Sequence, residues 1–139
     1  MNRQFWIRWT PAIIWMAVIF YSSSRTGSSM NKLLPFFQKF IPSMQSFDWG
    51  HFIAYFILAL TYLWALDDGR PSWKIKAAVI GLCVLYGATD EFHQLFVDGR
   101  QSDWKDIRND GIGAAIAMLL ISIKPVYRQY AKLPHSKKC

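Results

Sequence analysis

The sequence predicts an all-α protein, a bundle of four transmembrane helices, on three observations. Four apolar runs recur along the chain: Trp9–Ser23, Phe52–Leu66, Ala77–Val97 and Gly111–Ile123. Aromatic rings suited to a membrane–water boundary bracket them, among them Trp6, Trp9, Trp49, Trp64, Trp73, Trp104 and Tyr127. The 139 residues are 53% hydrophobic and 17% aromatic, with 7 Trp and 10 Phe, more ring surface than the interior of so small a soluble domain can hide. No internal repeat, low-complexity tract or linker interrupts the chain, so residues 1–139 are expected to form a single unit.

Taken singly, each run falls short of the ~20 residues that a straight spanning helix needs. Polar flanks lengthen them: Arg8 precedes the first, His51 the second, Lys74 and Lys76 the third, and Lys124 follows the last. Long basic side chains reach the interface from inside the apolar layer, so the expected spans are residues 9–24, 50–66, 75–97 and 107–123. Short spans joined by charged segments also account for a mean hydropathy of only +0.12. Arg3, Arg8 and the following apolar stretch up to Ser22-Ser23-Ser24 have the outline of a secretion signal, but no A-x-A site follows and the run reads as a retained helix.

Orientation follows from the basic residues. With the N-terminus inside, the inner segments carry Arg3 and Arg8, then Arg70, Lys74 and Lys76, then Lys124, Arg128, Lys132, Lys137 and Lys138. The outer segments carry Arg25, Lys32 and Lys39, then Arg100, Lys105 and Arg108. Ten against six places both termini in the cytoplasm. In the first outer loop Leu33, Phe36, Phe37, Phe40 and Ile41 recur at helical spacing ahead of Pro42, which predicts a short amphipathic helix lying on the outer leaflet or folded back over the bundle. The net charge of +7 does not mark a nucleic-acid binder, because the basic residues lie between apolar runs and form no groove-tracking face. Cys83 and Cys139 fit neither a disulfide framework nor a metal or redox spacing.

Chemistry concentrates at one end of the bundle. Asp90, Glu91, His93 and Gln94 close the third run on one arc of roughly 160° at helical spacing. His51 opens the second run, with Tyr55 and Tyr62 further along; Asp106, Asp110 and Gly113 open the fourth on one face; and Arg100 lies between the third and fourth. Ionisable groups at membrane depth are costly unless paired, so such a set is a functional site by default. No comparable set is expected at the cytoplasmic end.

Gly50-His51-Phe52-Ile53-Ala54-Tyr55 resembles the histidine-containing motif of the VanZ-like membrane proteins of bacteria. The segment Asp90-Glu91-Phe92-His93-Gln94-Leu95-Phe96, followed by Gly99-Arg100 and by Asp106, Asp110 and Gly113, is similar to that family's principal signature, and the Ser22-Ser23 end of the first run fits as well. Two departures stand outside that signature: Asp48 is one position closer to His51 than in the family, and Asp98 replaces a frequent proline. The resemblance implies a multi-pass protein of the bacterial plasma membrane and cell envelope, in a family named for a protein linked to teicoplanin resistance. It implies no settled reaction.

Two readings of the polar end follow. In the first it is an outward-facing site for an anionic or lipid-linked envelope molecule. Arg100 would then bind phosphate or carboxylate through its planar fork. Glu91, Asp90 and His51 would be the catalytic candidates as proton carriers. Gln94, Asp106, Asp110 and Tyr55 would complete the binding set, with Asp106 or Asp110 orienting His51 or Arg100. In the second the same residues are a structural staple, Arg100 pairing with Glu91 or Asp106 and His51 with Asp90, in a non-enzymatic scaffold. His51, His93 and a carboxylate match no standard metal spacing, so no metal and no cofactor are expected. Gly111 and Gly113 with Ala114, Ala115 and Ala117 suit close helix packing, and Asp103 suits an N-cap. Membrane lipids are the expected surroundings; protein partners are not legible.

Overall fold

A computed structural model describes residues 3–25, 35, 39, 48–67, 71–99 and 103–133. The amphipathic stretch expected at 33–41 lies outside them apart from Pro35 and Lys39, as does Arg100. The described residues form five helices and no strand: α1 (Arg3–Ser23), α2 (Asp48–Leu66), α3 (Trp73–Gln94), α4 (Trp104–Ser122) and α5 (Lys124–Tyr130). The first four match the four apolar runs. At a rise of ~1.5 Å per residue each is about 28–33 Å long.

Local chemistry sets the helix ends. The Ser72 side chain caps α3 by accepting from the Ile75 N–H. Asp103 caps α4, as its position suggests, by accepting from the Lys105 N–H at 2.9 Å. Between them Gly99 adopts φ 74°, a left-handed turn that glycine enters without a Cβ penalty. Thr10, Ser22 and Ser24 each donate a hydroxyl to the carbonyl four residues back, so α1 carries these hydroxyls without leaving them unsatisfied.

The long helices alternate in direction. Arg8 near the start of α1 donates to the Trp64 carbonyl near the end of α2. Lys76 at the start of α3 donates to Ser122 at the end of α4 at 2.7 Å. Tyr55, Leu58, Ala59, Tyr62 and Leu63 form a buried stripe on α2, packed against Ala114, Ala117, Met118 and Ile121 of α4 and Val79 and Cys83 of α3. α1 lies along α2, where Trp15 Nε1 donates to the Ala54 carbonyl, and reaches α3, where the Tyr86 hydroxyl donates to the Met16 carbonyl.

Polarity is arranged inside out. Asp90, Glu91, Gln94, Asn109 and Asp110 are buried, whereas Ile13, Ile14, Phe20, Leu85, Phe92, Ile116 and Leu119 stand exposed on the outer faces of α1, α3 and α4. Among the described residues, by length and composition only α1, over Phe5–Ser23, qualifies alone as a membrane span; α4 and α5 qualify together as a bent pair, and Gly50–Leu66 is apolar but shorter. Charged residues account for the difference: Lys74, Lys76, Asp90 and Glu91 in α3, and Lys105, Asp106, Arg108 and Asp110 in α4, dilute helices of similar length.

One element lies beyond the expected spans, and one expectation needs correction. After Ile123 the chain turns by 99° into α5, with Pro125 in the first turn, where a missing N–H costs nothing. A second polar set also exists at the end of the bundle away from His51. There Arg8 donates to the carbonyls of Trp64 and Asp67, buried Asp67 accepts from the Tyr127 hydroxyl at 3.3 Å, and Tyr130 donates to the Leu60 carbonyl at 3.2 Å. These bonds dock α1 and α5 against the end of α2. Arg8→Ala removes a charged donor from two carbonyls, worth about 1.5–3 kcal/mol. The expected outcome is a lower melting temperature in detergent micelles with the His51 end undisturbed; an unchanged melting temperature would show that this end does not hold the helices.

Candidate functional site

Four helix ends meet around His51. It occupies the first turn of α2, Asp106 and Asp110 the first two turns of α4, Asp90, Glu91 and Gln94 the last turn of α3, and Ser23 the last residue of α1. His51 Nδ1 lies 2.9 Å from Asp110 Oδ1, and His51 Nε2 lies 3.9 Å from Asp106 Oδ2. The Asp110 side chain is only 1% exposed, against 15% for His51 and 18% for Asp106, so the site deepens from Asp106 through His51 to Asp110. With Asp110 ionised, the carboxylate accepts from Nδ1–H, and Nε2 is turned toward Asp106.

The carboxylates of α3 are held differently. Gln94 Nε2 donates to Asp90 Oδ2 at 3.1 Å and to Glu91 Oε1 at 3.2 Å, so one amide bridges both. Ser23 Oγ donates to the same Asp90 oxygen at 2.7 Å, joining α1 to α3. The main-chain N–H of Asp103, just ahead of α4, donates to Glu91 Oε2 at 3.0 Å. One ligand atom from each of His51, Glu91 and Asp106 lies within 4.8 Å of the others.

Two glycines make this convergence possible. A Cβ on Gly87 would meet Asp110 Oδ2 at 2.4 Å, so the buried carboxylate occupies space that only glycine leaves open. A Cβ on Gly113 would meet the Phe52 carbonyl oxygen at 2.5 Å and the Phe52 Cα at 3.1 Å, so α2 and α4 touch backbone to backbone beside His51.

Of the residues expected in the site, His51, Asp90, Glu91, Gln94, Asp106 and Asp110 come together, and Arg100 lies outside the described residues. Tyr55 is fully buried one turn below His51, its ring parallel to the imidazole with centroids 6.4 Å apart. Its hydroxyl finds no hydrogen-bond partner among the described residues, and it forms a floor to the site. The pairing of His51 with Asp90 is corrected: Asp110 takes the histidine, and Asp90 takes Ser23 and Gln94. His93 leaves the polar arc and packs on Phe20 of α1, with ring centroids 4.4 Å apart.

A family model described as VanZ/LLP1 matches residues 8–125, well over half of the chain and every helix of the site. The chain belongs to the VanZ/LLP1 family. No curated protein and no solved structure matches it significantly. Membership of this membrane-associated family agrees with α1 as a helix able to span and with the exposed apolar faces of α3 and α4. In this VanZ/LLP1 chain, site partners that motif reading missed are Ser23 as a donor to Asp90 and the Asp103 N–H as a donor to Glu91. Ser23 had a signal, a hydroxyl at the end of an apolar run on the level of Asp90. The Asp103 N–H had none, since a main-chain donor leaves no trace in residue type.

Proposed function

We propose that this protein crosses the bacterial plasma membrane with all four long helices, both termini cytoplasmic, and holds at its outer end a site for an anionic or lipid-linked envelope molecule. Through that molecule it would affect susceptibility to glycopeptides of the teicoplanin type. The observation that carries the reading is the meeting of four helix ends around a half-open histidine–carboxylate cluster, Asp106–His51–Asp110, while the opposite sides of the same helices are apolar. Helices of about 28–33 Å match a hydrocarbon layer of ~30 Å. Short end-charged helices pass as spans when their ionisable groups turn inward and pair, as Asp90, Glu91 and Asp110 do. Arg100, which follows α3 and precedes α4 in the sequence, would supply the planar cation that such a ligand requires.

A second reading has its own support. His51–Asp110 ties α2 to α4 and Ser23–Asp90 ties α1 to α3, so the cluster also serves as a staple fixing helix register. In that form the protein is a non-enzymatic scaffold for another envelope protein. Native mass spectrometry of the chain extracted in membrane nanodiscs separates the two. The site reading expects co-purified anionic or lipid-linked envelope molecules in the wild type, reduced at least tenfold in Arg100→Lys at unchanged melting temperature. Equal occupancy in both proteins would end the site reading, and a lowered melting temperature with no bound molecule in either would favour the staple.

A further inference from the structure

We infer that His51, Glu91 and Asp106 form a binding site for a divalent first-row transition-metal ion of the zinc or manganese class, with Asp110 as the carboxylate that orients the histidine. The ion would deepen the anionic-ligand reading of the same cluster; its role there rests on that reading, while its binding does not.

Three side chains from three helices bring one ligand atom each to within 4.8 Å of one another. Ligands around one tetrahedral zinc ion, bonded at about 2.0–2.2 Å, stand roughly 3.3–3.6 Å apart, so the set closes on an ion with shifts of about 1 Å. The 3.9 Å between His51 Nε2 and Asp106 Oδ2 is a few tenths of an ångström outside that range. The surroundings of the three atoms are those of metal ligands. A metal-binding histidine passes its other ring N–H to a carboxylate, and His51 Nδ1 lies 2.9 Å from Asp110 Oδ1. That carboxylate is buried to 0% exposure, and the imidazole stacks on the Tyr55 ring, which fixes the direction of Nε2. Ligating carboxylates are themselves hydrogen-bonded, and Glu91 accepts from Gln94 Nε2 and from the Asp103 N–H.

Two buried oxygens beside the set, Asp90 Oδ1 and Asp110 Oδ2, have no hydrogen-bond partner among the described residues, and buried charged oxygens are costly unless a partner or an ion offsets them. One imidazole with two carboxylates suits zinc or manganese better than the all-oxygen shells of calcium and magnesium. Three protein ligands also leave a coordination position for an oxygen of an anionic ligand, the arrangement of open metal sites. No spacing in the sequence announces this site because each ligand comes from a different helix.

The full chain, stripped with a chelator and held in nanodiscs, would be dialysed against ZnCl2 or MnCl2 and its bound metal quantified. The expected result is one ion per chain. Affinity should fall at least tenfold in His51→Gln and in Asp106→Asn, and 10–100-fold in Asp110→Asn, which acts through the histidine. It should be unchanged in His93→Gln, whose ring packs on Phe20. Circular dichroism identifies any variant that fails to fold, and Asp106→Asn, at the half-open edge of the site, is the variant least exposed to that outcome. Absence of stoichiometric binding, or binding that survives both His51→Gln and Asp106→Asn, overturns the inference. Envelope lipid retained by a wild type that binds no metal overturns the ion alone; metal bound without lipid supports the ion and counts against the anionic-ligand reading alone.

Discussion

Asp110→Ala is expected to destabilise the protein by about 1–3 kcal/mol, the range for leaving a buried hydrogen-bonding group without its partner. The Asp110 side chain is 1% exposed and holds His51 Nδ1 at 2.9 Å, so its loss leaves a buried ring nitrogen without that partner and a void between α2, α3 and α4. Gly87→Ala is expected to be harmful for the reciprocal reason. Its Cβ would come within 2.4 Å of Asp110 Oδ2 and 3.2 Å of Asp110 Cγ, and a carboxylate engaged with His51 cannot swing away without breaking that contact. Overpacking of this kind costs about 1–3 kcal/mol. The two substitutions share one volume, so Gly87→Ala in the Asp110→Ala background fills space that the aspartate vacated. The double variant should therefore melt above the temperature that additivity predicts, by several degrees in detergent micelles. Strict additivity would mean that Gly87 and Asp110 do not compete for that space.

Gly113→Ala is expected to cost at least about 3 kcal/mol, the top of the overpacking range, because what it meets is backbone. The added methyl would lie 2.5 Å from the Phe52 carbonyl oxygen and 3.1 Å from its Cα, and a helix backbone cannot rotate aside as a side chain can. α2 and α4 would have to separate, and they carry His51 on one side of the contact and Asp106 and Asp110 on the other. Loss of stability and loss of any ligand at the cluster should therefore appear together. Gly81→Ala is the control: nothing lies within 4 Å of its added Cβ, and alanine's higher helix propensity should leave α3 unharmed or steadier by up to about 1 kcal/mol. Membrane abundance and melting temperature of the two variants check the contrast, and a Gly113→Ala protein as stable as Gly81→Ala would overturn it.

Much of the fold is legible because helix formation here is a local matter. The apolar runs, the Asp103 cap and the small residues of α4 can be read residue by residue, and four helices stand where the runs predict them. α5 escaped because a seven-residue basic, tyrosine-containing segment has the composition of a tail; docking of Tyr127 and Tyr130 against α2 makes it an element. The polar set at that end escaped for a related reason. Arg8 is satisfied there partly by main-chain carbonyls of Trp64 and Asp67, acceptors that every residue type carries.

The candidate site divides along the same line. By itself the sequence determined which residues reach one level of the bundle, His51, Asp90, Glu91, Gln94, Asp106 and Asp110, because the ends of helices of nearly equal length must align and the chemistry is concentrated at those ends. It also determined the family, through motifs that are strings of residues. Tertiary structure alone decided who pairs with whom: Asp110 with His51, Ser23 and Gln94 with Asp90, and His93 turned away onto Phe20. Those choices depend on how the helices are rotated about their axes and how closely they approach. At Gly87 and Gly113 that approach is set by contacts between residues far apart in the chain, and no periodicity within a single helix encodes it.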